Sequence, residues 1–262
     1  MIRLGEGDAL SEGPHVFPIR DLNPTRITPY ATVLLIAINV IVFFVWQPHA
    51  NLEAELEFLY GRTAVACEIA SGRPVTYAEI AAGVCETAAA GTRSAPAETP
   101  FPEKPLAMSV LISMFLHGGV VHLLGNMWFL WLFGNNVEEA FGHIRYGVGY
   151  ILAGVVATFG FVWLHPDSTQ PLVGASGAIA GVLGAYAVLF PTRLVLSFAF
   201  FTVLPIPAIV FLGLWFIGQF AVVDMGVAWE SHVAGFVTGA VVATWFRRPL
   251  LDRVRAAQRG YR

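Results

Sequence analysis

Six stretches of the chain, residues 30–47, 120–137, 146–164, 174–190, 205–223 and 229–246, are apolar and of a length that crosses a bilayer. A crossing takes about 17–25 residues. Lipid offers no hydrogen-bond partners, so a spanning segment must satisfy its own backbone. The sequence therefore predicts an all-α polytopic membrane protein, a bundle of six transmembrane helices. Composition agrees: 13% of residues are charged, against about a quarter in soluble domains. Pro205 and Pro207 suit the first turn of the fifth helix, which leaves 194–204 in the interface. Leu106–Phe115 is too short to span and reads as interfacial or re-entrant.

Charge placement sets the expected orientation. Arg247, Arg248, Arg253, Arg255, Arg259 and Arg262 follow the last apolar stretch, and Arg3, Arg20 and Arg26 precede the first. Arg145 and Arg193 fall in the second and fourth loops, whereas loop 48–105 holds eight glutamates against three arginines and Lys104. The positive-inside rule then predicts cytoplasmic termini and an external first loop. The expected organisation is a leader at 1–29, a membrane domain at 30–246 and a basic tail at 247–262. Residues 1–27 show no apolar core of a cleavable signal. In the first loop, Cys67 and Cys85 fit either a disulfide or two buried thiols. Tyr77–Ala89 suits a short helix, and 91–105, rich in Pro, Thr and Ala, suits a linker.

Polar side chains within apolar spans are costly and call for a functional account. Three sets occur here. His122 and Asn126 lie four apart on one face of the second span. Ser176 opens the fourth, and His232 opens the sixth, ahead of Gly235 and Gly239. These three spans run in the same direction, so at about 1.5 Å per residue the four residues share one depth. A single water-filled cavity could join them. Serine is a weak nucleophile until a base takes its proton, and His232 is the base at that level. No Asp or Glu lies within the helical cores: Glu230 is two residues from His232 and points elsewhere, and Asp224 sits in a loop. The pattern is a Ser–His dyad. Asn126, His122 and the backbone N–H of Ser176 are suitable donors for an oxyanion.

With Gly174-Ala175-Ser176-Gly177, His122-x-x-x-Asn126 and Ser231-His232-Val233-Ala234-Gly235-Phe236, the chain resembles the rhomboid intramembrane serine proteases. Arg20-Asp21-Leu22-Asn23-Pro24-Thr25 and the stretch Asn136-Val137-Glu138 to Gly142, then Arg145-Tyr146, support the likeness. It covers most of 17–246, and loop 48–105 least. The resemblance implies Ser176 as nucleophile, His232 as general base, and Asn126 with His122 as oxyanion donors. It implies transmembrane protein substrates within a lipid bilayer, no nucleic acid, and no metal or cofactor. It also implies a bacterial-type, six-span member in an inner (plasma) membrane. One departure stands out: some members carry a tyrosine one turn after the serine that stacks on the catalytic histidine, and here that position is Ala180. The fifth span, with Phe211, Trp215 and Phe216 and no small-residue spacing, is the candidate gate for a substrate helix.

Taken singly, Ser176 fits helix-packing polarity, His232 an interfacial histidine, and His117 a bond to loop backbone. Their joint order and depth favour catalysis. A transporter would place polar groups at mid-membrane on broken helices. The stronger competing expectation is a catalytically inactive relative that binds membrane proteins as a scaffold.

Overall fold

A computed structural model describes residues 17–85, 98–199, 201–221 and 227–259. The chain enters as a strand, β1 (Phe17–Asp21), and then α1 (Tyr30–Ile41), which widens into a π-helical turn at Val42–Trp46. Three short helices follow: α2 (Leu52–Arg62), α3 (Ala66–Ser71) and α4 (Tyr77–Ala82). Then come α5 (Leu106–Ser113), α6 (Val120–Phe141), α7 (His143–Leu164) and α8 (Ser176–Leu189). Strands β2 (Leu194–Ala199) and β3 (Thr202–Pro207) precede α9 (Ala208–Gly218), which ends in a 3-10 turn at Gln219–Ala221. The last helices are α10 (Trp229–Trp245) and α11 (Arg247–Arg259).

Each of the six apolar stretches is thus occupied by a helix. Among the described residues, α7 is the one long and apolar enough to cross a membrane by length and composition; Tyr30–Trp46, Ser176–Leu189 and Ala208–Ala221 are shorter apolar helices. Helix α8 forms the centre, with every residue from Gly177 to Ala187 buried and α6, α7 and α10 packed around it. The closeness of α8 and α10 comes from their glycines. A Cβ added at Gly184, Gly235 or Gly239 would stand 2.0, 2.0 and 1.8 Å from a carbonyl oxygen of the facing helix. Only hydrogen fits, and the backbones meet directly.

The protein is mostly helical, and the all-α expectation needs one correction. Residues 194–207 are a hairpin that β1 extends into an antiparallel sheet of order β1–β2–β3, with Phe17 opposite Phe198 and Leu194 opposite Pro207. Val195, Phe198, Thr202, Val203 and Ile206 suit a pleated surface. Pro205 lies in the edge strand β3, where proline is tolerated, so α9 starts only after Pro207.

Buried acids fasten this end of the bundle. Glu138 accepts from the Ala31 N–H (2.9 Å), the Thr32 N–H (2.8 Å) and the Thr32 hydroxyl (2.6 Å). A carboxylate there meets the free N–H groups and positive dipole end of α1. Asp21 accepts from Asn136 Nδ2 and the Tyr186 hydroxyl, both at 2.7 Å. Burial pushes the Asp21 carboxyl up to about 6.

The first loop is a small folded unit at the opposite end. Cys67 and Cys85 form a disulfide, which resolves the alternative left open by the sequence. Thr76 and Glu79 make a reciprocal capping box on α4, and the helix ends at Gly83, φ +71°, well before Ala89. Glu68 and Lys104 form a buried ion pair. The expected linker at 91–105 lies partly outside the described residues. Val65 bridges Pro171, Val84 bridges Ser168, and the Cys67 N–H donates to the Ser168 carbonyl at 2.9 Å. The disulfide-closed unit therefore holds segment 165–173, which leads into α8.

Candidate active site

Ser176 is the first residue of α8 and His232 the fourth of α10. The glycine contacts between these helices bring the two to one level. Ser176 Oγ stands 2.8 Å from His232 Nε2. Both line a cavity of about 810 Å³ whose walls also include His122, Asn126, Trp215 and Gln219. The four residues singled out from sequence therefore share one cavity, near the starts of α6, α8 and α10.

The donors are arranged around the serine. Asn126 Nδ2 is buried with no hydrogen-bond partner. His122 Nδ1 accepts from the Gly118 N–H at 3.5 Å, which leaves the ring proton on Nε2 in the neutral form. A Cβ on Gly174 would lie 2.9 Å from His122 Nε2 and 3.5 Å from Ser176 Oγ. Gly174 also has φ +124°, a conformation that disfavours other residues, so the first glycine of Gly174-Ala175-Ser176-Gly177 is required twice over. The first N–H groups of α8, Ser176 among them, have no partners within the helix. A carbonyl held at Ser176 would meet donors from three directions, with an imidazole placed to take the serine proton. This is the constellation that acyl transfer needs.

Sequence reasoning missed Gln219. Its Oε1 accepts from His232 Nδ1 at 2.6 Å, and its Nε2 donates to the Trp215 carbonyl at 3.0 Å. The available signal was a lone uncharged polar residue near the end of an otherwise apolar run. Ala180 offers His232 no ring, and an indole stands there instead: Trp215 on α9 lies 6.1 Å from the imidazole, centroid to centroid, at 37°. Glu230, as expected, faces away from His232 and pairs with His165 Nε2 at 2.5 Å. Asp224 lies outside the described residues. The His117 ring packs at 5.2 Å against that of His122, and its backbone is tied to the Gln47 side chain. Among the described residues, Cys67, Glu79 and Cys85 are spaced like metal ligands, but the two sulfurs are bonded to each other and so are not thiolate donors.

Residues 106–249 match the family model described as the Rhomboid domain. RHOMBOID-like protein 6, mitochondrial, of Arabidopsis thaliana is 37% identical over 76 residues, 29% of this chain and 24% of that protein. Rhomboid protein 1, mitochondrial, of Saccharomyces cerevisiae is 30% identical over 162 residues, 56% of this chain and 44% of that protein. Presenilin-associated rhomboid-like protein, mitochondrial, of Bos taurus is 35% identical over 90 residues, 34% of this chain and 24% of that protein. The chain spans less than half the length of these curated relatives. All three are eukaryotic and named as mitochondrial. They overturn the expectation of a bacterial plasma membrane, and with it the cytoplasmic placement of the termini.

Proposed function

The chain belongs to the rhomboid family, and from that premise we propose that it is an intramembrane serine endopeptidase cleaving transmembrane proteins in or near their membrane segments. In this reading α1, α6, α7, α8, α9 and α10 are six spans, preceded by a leader (1–29) and followed by a basic tail (247–262). The relatives' names suggest a mitochondrial membrane.

The proposal rests on the 2.8 Å approach of Ser176 Oγ to His232 Nε2 beside the unpaired Asn126 Nδ2. His232 takes the hydroxyl proton as Ser176 Oγ bonds to the scissile carbonyl carbon. Asn126, His122 and the Ser176 N–H receive the oxyanion. The imidazolium returns its proton to the leaving amine, which breaks the peptide C–N bond and leaves an acyl ester on Ser176. Water, deprotonated by the same imidazole, then hydrolyses the ester. A helical substrate must unwind first, and its freed backbone groups need water, which the cavity can hold.

The test is reconstitution with a panel of single-span membrane proteins. The native chain is expected to cleave at least one of them, and Ser176→Ala none. Cleavage undiminished in Ser176→Ala overturns the mechanism. A native chain that binds substrates without cutting any supports the scaffold function instead.

A further inference from the structure

The Gln219 amide has one orientation open to it. The Trp215 carbonyl oxygen can only accept, so the atom 3.0 Å from it must be the NH₂. The amide oxygen is then the atom 2.6 Å from His232 Nδ1. It too can only accept, so the proton of the neutral imidazole must sit on Nδ1. That leaves Nε2 bare, and Nε2 is the nitrogen facing Ser176 Oγ. A single backbone carbonyl thereby dictates, through one side chain, which ring nitrogen is free to receive the serine proton.

The placement of Gln219 suits this task. It is 9% exposed and sits in the 3-10 turn that closes α9. Trp215, one turn earlier, sets its ring against the same imidazole. Apart from Ser176, the side chains that touch the His232 ring in these contacts come from α9 (Trp215) and the 3-10 turn that closes it (Gln219). Helix α9 buries Ala208, Phe211 and Leu212 in its first half, while Leu214 and Ile217 are exposed. The Gln219–His232 bond is therefore a polar tie between the far end of α9 and α10.

We propose that Gln219 is a positioning residue that holds His232 in the tautomer and orientation needed to accept the Ser176 proton. It does the orienting that a buried carboxylate does in three-member serine hydrolases, but without a charge. The inference rests on the protease reading above. During the reaction the Nδ1–H keeps donating to the amide oxygen as Nε2 gains the serine proton, so the bond persists from resting state to imidazolium.

Three variants test it in reconstituted full-length protein. Gln219→Leu removes the acceptor at similar size, and Gln219→Met does so with a flexible chain that keeps α9 seated. Both are expected to lower kcat about tenfold, the equivalent of one hydrogen bond, with KM and the melting temperature near native. Gln219→Glu keeps an acceptor for the His232 Nδ1–H, gives up the donor to the Trp215 carbonyl, and adds charge that favours the imidazolium. It is expected to recover kcat at neutral pH and to move the acid limb of the kcat–pH profile upward. Native kcat in Gln219→Met, or losses confined to KM or melting temperature with an unmoved pH profile in Gln219→Glu, overturns the proposal. Ser176→Ala, run alongside, separates the two failures. An inactive Ser176→Ala beside a fully active Gln219→Met removes only the role of Gln219. An active Ser176→Ala removes the protease reading itself.

Discussion

Replacing Gly235 with alanine puts a methyl group where the structure has no room for one. The new Cβ would stand 2.0 Å from the Gly177 carbonyl oxygen. Carbon–oxygen contacts of this kind settle no closer than about 3.3 Å, so the shortfall is about 1.3 Å. Both sides of the collision are backbone, and neither can rotate away. Helices α8 and α10 must part or turn by about 1 Å at this level. Gly235 lies three residues beyond His232, about 4.5 Å along the axis, and Gly177 adjoins Ser176. The displacement therefore falls on the proposed dyad. Overpacking of this sort costs about 1–3 kcal/mol, and misplacing reacting groups by about 1 Å costs roughly 100-fold in rate. Gly239→Ala makes the same collision, 1.8 Å from the Gly181 oxygen, but about 10 Å from His232 along the axis. It should lower stability comparably and activity less. Gly147→Ala on α7 meets nothing within 4 Å and should be neutral or gain up to about 1 kcal/mol. Thermal unfolding in detergent and kcat on a transmembrane substrate read both effects. Native melting temperature and kcat in Gly235→Ala would refute the packing argument. So would a larger activity loss in Gly239→Ala.

Asn126→Ala should lower kcat about 100- to 1,000-fold with little change in KM, the usual effect of removing an oxyanion donor; steady-state kinetics on one substrate decides it. Burial raises the Asp21 carboxyl from 3.8 to about 6 in the folded protein. Its contribution to stability is therefore full below about 4 and is lost as pH rises through about 6. Melts across that window should slope downward, and Asp21→Asn should flatten the slope. Cys67→Ser with Cys85→Ser opens a loop of sequence separation 18 and should cost about 3 kcal/mol. Hydrogen exchange should then quicken across 165–173, where the cysteine-bearing unit is bonded.

The sequence made most of the helices legible because their apolar runs are long and end at charge or proline. It placed Ser176, His122, Asn126 and His232 at one level by counting residues from span starts, and the four do line one cavity. The hairpin at 194–207 was hidden. Its apolar residues continue without a break into α9, and its pairing partner Phe17–Asp21 lies far away in sequence. Spacing alone left the cysteines open, because their closeness depends on how the chain turns back between Cys67 in α3 and Cys85 beyond α4. Gln219 was overlooked for a chemical reason. A search for a third group beside a histidine looks for a carboxylate, and an amide oxygen makes the same bond without charge. What brings it to His232 is the turn at the end of α9, which periodicity does not reveal.

Whether Ser176 is a nucleophile activated by His232 is decided by mass-spectrometric mapping of a fluorophosphonate adduct on the intact protein in detergent. One adduct is expected, on the peptide carrying Ser176, lost in His232→Ala while the fold is retained. An adduct on another residue, or Ser176 labelling unchanged in His232→Ala, would contradict that role for Ser176.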